Sequence, residues 1–161
     1  MAIPSRNDGK AKTPPYKRTF FVTTKTSMGG QLLQSVRFAS LFVDVLRTCI
    51  AAQRFQAHDF VVMPDHVHLL LSVTDISIEK AMQFIKGGFS YRVKRDLGYS
   101  GEIWQRGFSE VRVDGPESFD RHREYIAQNP VRAGLVRTGE SYPWCFETLR
   151  AMKDTGAKAH A

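Results

Sequence analysis

His66 and His68 stand two residues apart inside FVVMPDHVHLLLSV, residues 60–73. Side chains alternate across a strand, so the two imidazoles share a face with Leu70 and Ser72, while Val67, Leu69, Leu71 and Val73 line the other face as core. Neighbouring imidazoles are half of a divalent metal site. The same spacing also describes two polar residues on the wet face of a half-exposed strand, so on its own it leaves both readings open. A metal needs further ligands from another element. In SFDRHREYIAQNP, residues 118–130, His122, Tyr125, Ile126 and Asn129 recur at helical steps and share a face. An Asn carbonyl is a suitable hard ligand beside two imidazoles, and a Tyr hydroxyl beside a metal-held phosphate is a nucleophile. Equally, Tyr125 suits a half-buried aromatic and Asn129 a helix cap before Pro130.

The elements that must carry these residues follow from periodicity. RTFFVTTKT, residues 18–26, is aromatic and β-branched and predicts a strand. Phe38, Leu41, Phe42, Val45, Leu46, Cys49 and Ile50 form an apolar stripe, predicting a helix over 35–53. A strand over 57–63 turns at Pro64-Asp65 into the histidine strand. Asp75 and Ser77 are candidate N-caps for a helix over 78–97, with Ile78, Met82, Ile85, Phe89 and Val93 inward. Gly87-Gly88 inside it predicts a kink or close packing. Residues 102–113 read as a strand with a bulge at Gly107. Pro116 starts a third helix that ends near Asn129, before Pro130. The order β, α, β, β, α, β predicts an α+β, ferredoxin-like (RRM-like) antiparallel sheet with helices on one face. An extra C-terminal helix carries the tyrosine. RNA-recognition modules bind single strands on the face opposite the helices, where the histidines project.

The 161 residues make one domain, with a net charge of +7 and a pI near 9.6 that favour a polyanionic partner. A merely solvated basic surface fits the charge as well. The two cysteines, Cys49 and Cys145, form no CxxC pair, which argues against a cysteine zinc site and fits a reducing cytoplasm. No apolar run reaches membrane-spanning length, and the basic N-terminus does not read as a signal peptide. Residues 1–15 are expected to be a flexible basic tail and 139–161 a C-terminal extension, with the domain over 16–138.

Four segments occur in a telling order: PDHVHLLL at 64–71, GGFSYRVKRDLG at 87–98, IWQRGF at 103–108 and REYIAQNPVRAGLV at 123–136. Together they closely resemble the REP-associated tyrosine transposases, single-tyrosine members of the HUH (His, hydrophobic, His) superfamily. The resemblance implies that His66, His68 and Asn129 hold Mg²⁺ or Mn²⁺ and that Tyr125 is the catalytic nucleophile. Some relatives have Gln where this chain has Asn129. His122 matches a histidine seen in similar proteins, a candidate for supporting the site. The resemblance implies cleavage and rejoining of single-stranded, hairpin-forming DNA through a 5′-phosphotyrosine, by a monomer or homodimer in the bacterial cytoplasm, at the nucleoid. Lys86, Arg92, Lys94, Arg95, Gln105, Arg106 and Arg132 are the candidate DNA contacts. Two other activities fit the residues: a ferredoxin-like module that binds single-stranded nucleic acid without catalysis, and a metal-dependent phosphodiesterase using water.

Overall fold

The expected alternation of strands and helices is what the chain adopts. A computed structural model describes residues 16–149, so the calls on 1–15 and on the end of the C-terminal extension lie outside the described residues. The elements are β1 (Arg18–Lys25), α1 (Val36–Ala51), β2 (Gln56–Met63), β3 (His66–Val73), α2 (Ile78–Leu97), β4 (Ser109–Val113) and α3 (Gly115–Arg132). The strands form one antiparallel sheet in the order β2-β3-β1-β4. The fold is therefore α+β and ferredoxin-like, with a third helix added.

Alternation along β3 divides the interior in two. Val67, Leu69, Leu71 and Val73 pack with Phe42 and Leu46 of α1 and Ile85 and Phe89 of α2 in the main core. Each fully buried side chain of this kind contributes about 2 kcal/mol. Leu70, on the histidine side, joins Val61, Met63, Val113 and Ile126 in a smaller cluster, with Phe21 and Phe119 against it. The third helix thus covers the sheet face that the histidines share, and α1 and α2 cover the other.

The predicted stripes are buried apart from Phe38 and Ile50, which pack partly buried at the margin of the core, and Ser77 caps α2 by accepting a hydrogen bond from the Lys80 amide. Gly87-Gly88 serves close packing within a continuous helix: a Cβ at Gly88 would lie 3.3 Å from Val45 Cγ1 of α1.

Three boundaries differ from expectation. The fourth strand is only Ser109–Val113, and Gly107, expected as a bulge, lies outside it with φ of 79°. Residues 102–108 have strand-like composition but are pinned differently. Trp104 packs against the main core and donates its indole N–H to the Lys86 carbonyl, keeping only an isolated bridge to Thr26. The irregularity of the sheet falls instead in β2, where register shifts between Ala57 and Asp59.

The helix α3 runs through Pro130 to Arg132 rather than stopping at Asn129. Proline forfeits one N–H bond, but here it does so in the last turn and its ring is buried, which offsets that cost. Gly134, at φ of 74°, then ends the helical path, and the Leu135 amide returns to the Pro130 carbonyl. The folded unit also continues past residue 138. Val62 donates its amide to the Trp144 carbonyl, the Tyr142 hydroxyl donates to the Val62 carbonyl at 2.7 Å, and Leu149 is buried in the main core. Burial, then the neighbouring Cys145, push the Tyr142 phenol up to about 12, so it stays a donor.

The glycine pair supplies a test of this packing. Gly87 has open space where its Cβ would be, so Gly87→Ala should raise stability by about 0.5–1 kcal/mol. Gly88→Val should lower it by about 1–3 kcal/mol by driving a branched side chain into Val45. Urea midpoints of the two variants should move in opposite directions.

Candidate functional site

The register of the central strand decides what the histidines meet. β1 runs antiparallel to β3 with Thr23 opposite His68 and Lys25 opposite His66. On the shared face, Phe21 stacks on His68 with centroids 5.2 Å apart and planes 22° apart. Thr23 Oγ1 and His68 Nδ1 share a 2.8 Å hydrogen bond. His66 Nδ1 donates to Asp65 Oδ1 at 2.7 Å. The two imidazole centroids are 4.7 Å apart.

Onto this face α3 brings Tyr125. Its ring meets His68 edge-on at 5.4 Å and Phe21 edge-on at 5.8 Å, and it remains 40% exposed. His122 lies on Phe21 at 4.8 Å, its Nδ1 bonded to the Ser118 carbonyl one turn back. The continuation of the helix through Pro130 carries Arg132 seven residues beyond Tyr125, where its guanidinium sits 4.6 Å over the Tyr125 ring. A tyrosine, two histidines and an arginine separated by more than fifty residues in sequence therefore converge within one chain.

Asn129 Oδ1, one helical turn beyond Tyr125, is buried and has no hydrogen-bond partner. A buried carbonyl without a donor costs about 1–3 kcal/mol, a cost that a bound cation or a water relieves. Among the described residues no three His, Cys, Asp or Glu side chains converge on a metal point. The two neighbouring imidazoles and the Asn129 amide oxygen are of donor types that suit a divalent ion. His68 is 6% exposed, and burial, then the nearby His66, push its pKa down to about 4. It is neutral at pH 7, the state in which an imidazole can ligate.

Apart from Arg132, which lies over Tyr125, the candidate DNA contacts separate into two groups. Those on α2 lie on the helix layer across the sheet from the histidines, and Lys86, Arg92 and Arg95 have internal partners. Arg92 pairs with Asp44 and Asp96, and Arg95 with Asp96. Lys86 Nζ donates to the carbonyls of Gln105 and Gly107, and burial lowers its pKa. Lys94 is exposed on the same helix. Gln105 and Arg106, by contrast, join Thr23, Lys25, Gly107, Phe108 and Ser109 around an open cleft of about 350 Å³. Thr23 lies both in this cleft and against His68, so the cleft opens beside the imidazole pair. The sequence gives no hint of Lys25 or Thr23 as site residues, because only the strand register brings them there.

Residues 17–129, more than half the chain, match the model of the IS200-like transposases, and the chain belongs to that family. It is 25% identical over 101 residues to a Haemophilus influenzae protein named as a REP-associated tyrosine transposase. That match takes in 56% of this chain and 57% of the relative. A solved REP-associated tyrosine transposase bound to a REP hairpin superposes with a TM-score of 0.63 at 24% identity, covering 84% of this chain and 81% of the other. A transposase structure from Deinococcus radiodurans R1 superposes at 0.53 with 22% identity, covering 70% and 91%. These likenesses bear out the expected fold and the family resemblance of the sequence segments. Among the described residues no helix is long and apolar enough to cross a membrane.

The depressed His68 pKa has a thermodynamic consequence. In the unfolded chain this imidazole titrates near 6.5 and in the fold near 4. Between those values the unfolded state binds more protons, so stability falls as pH falls from 6.5 to 4 and is flat in this group above 6.5. The loss is of order 3 kcal/mol. Urea titrations of EDTA-treated protein should show it, and His68→Gln should remove that part of the slope. Equal slopes in the two proteins would contradict the assignment.

Proposed function

We propose that this chain is a metal-dependent DNA strand transferase that cuts and rejoins single-stranded, hairpin-forming DNA through a 5′-phosphotyrosine on Tyr125. The observation that carries the reading is the edge-on contact of Tyr125 with His68, both rings fixed by Phe21. A non-catalytic binding module has no need of that juxtaposition. The hairpin substrate is suggested by the REP hairpin bound to the structural neighbour.

His66, His68 and Asn129 would hold Mg²⁺ or Mn²⁺. A bound divalent ion supplies Lewis-acid polarisation of a phosphoryl oxygen and offsets its developing charge. The Tyr125 oxygen attacks phosphorus, the bond from phosphorus to the 3′ oxygen breaks, and the phenol proton passes to solvent while the released 3′ oxygen takes one up. The ester formed retains the phosphodiester's bond energy, so a 3′-hydroxyl can displace the tyrosine and rejoin strands without ATP. Arg132, over the Tyr125 ring, stands where it can pair with the phosphate that Tyr125 attacks. The strand continues over Lys25, Gln105 and Arg106 in the adjoining cleft.

Incubation with a labelled hairpin from repeats flanking the gene, with Mg²⁺ or Mn²⁺, should give a protease-sensitive, slowly migrating adduct on a denaturing gel. EDTA and Tyr125→Phe should abolish it while DNA binding persists, and His66→Ala should slow cleavage about 10²-fold or more. Cleavage without an adduct would indicate water as nucleophile. Bound but uncut DNA with both metals would indicate a binding module.

The path of the strand has its own test. Lys25→Ala and Arg106→Ala should each weaken binding to single-stranded DNA and reduce the salt slope by about 0.7 per lost phosphate contact. Lys94→Ala, on the far layer, should change the slope by less. The reverse ranking would move the DNA path to α2.

A further inference from the structure

We infer that Asp65 and Thr23 are positioning residues that hold both imidazoles with Nδ1 engaged inside the protein and Nε2 presented to the metal. The inference rests on the metal reading above and adds to it the groups that make two histidines a ligand pair.

An imidazole ligates through one nitrogen, and the partner of the other nitrogen fixes the tautomer and the direction of the ring. Here the partners come from different parts of the chain yet select the same nitrogen on each ring. Asp65 Oδ1 takes Nδ1 of His66 at 2.7 Å from the turn, and Thr23 Oγ1 takes Nδ1 of His68 at 2.8 Å from β1. The Asp65 Oδ1 atom is engaged with Nδ1 of His66, the ring nitrogen opposite the one offered to a metal.

The partners are themselves held. The Asp65 carbonyl accepts from the Thr26 amide at 3.0 Å, and Thr26 is buried. Thr23 is fixed by the strand register opposite His68. They also differ chemically. A carboxylate only accepts, so in the neutral ring Asp65 requires the proton of His66 to sit on Nδ1, which leaves Nε2 bare. A hydroxyl can donate or accept, so Thr23 sets the direction of His68 while allowing either tautomer until a metal selects one. Asp65 should therefore act on His66 in the metal-free protein, and Thr23 mainly on affinity.

The test measures Mn²⁺ binding by electron paramagnetic resonance and histidine tautomers by long-range ¹H–¹⁵N correlation in metal-free protein. In the native chain His66 should carry its proton on Nδ1. Asp65→Ala should lower Mn²⁺ affinity about 10- to 100-fold and move His66 toward the Nε2–H form. Thr23→Val should lower affinity about 10-fold, and Thr23→Ser, which keeps the hydroxyl, should restore it to within about twofold. Asp65→Asn, which keeps the shape and loses the obligate acceptor, should resemble Asp65→Ala. Unchanged affinity and tautomers in Asp65→Ala and Thr23→Val would overturn the inference while leaving the transferase reading intact. Absence of Mn²⁺ binding in the native chain would overturn the metal reading instead, and the tautomer measurement would still decide the role of Asp65.

Discussion

The register between β1 and β3 is the constraint on which the site depends. Thr23 lies opposite His68, and both side chains point to the face that α3 covers. A slip of one residue would turn every side chain of one strand to the opposite face. His68 would then enter the main core, and Val67 or Leu69 would take its place beside Tyr125. The alternation of β3 opposes such a slip, because Val67, Leu69, Leu71 and Val73 are all buried against α1 and α2. The packing that stabilises the sheet is thus the same packing that aims the histidines.

Phe21 has a parallel role on the same face of the sheet. Its ring touches His68, His122 and Tyr125, which belong to two elements. Aromatic contacts of this kind contribute about 0.5–1.5 kcal/mol each beyond area burial. Their geometric effect is larger than their energy. Movement of α3 relative to the sheet displaces Tyr125 and disturbs the His68 ring together, so the tyrosine and the imidazoles are positioned as a unit.

Much of this was legible in the sequence because it is local. The histidine pair, the helical stripe from Phe38 to Ile50, the Ser77 cap and the shared face of Tyr125 and Asn129 all follow from two periodicities. What periodicity does not encode is which strand lies beside which. Thr23 and Lys25 therefore escape notice, and so does the register shift at Ala57 and Asp59. The run at 102–108 misleads for a related reason. Its composition is that of a strand, but Trp104 finds burial in the core and Lys86 captures the carbonyls of Gln105 and Gly107. The charges of α2 mislead as well, because the partner of Arg92 includes Asp44 on α1, 48 residues away. Pro130 reads as a stop, yet a proline in a final turn loses little when its ring is buried.

The passage of α3 over its own sheet has a consequence for stoichiometry. Tyr125 faces His68 of the same chain, so one copy brings the tyrosine and the imidazole pair together. With a single such tyrosine, each copy can retain one DNA end at a time. Under the phosphotyrosine reading, an event that opens two junctions must either use two copies or visit one copy twice. The number of covalent ends held at once then counts the chains taking part.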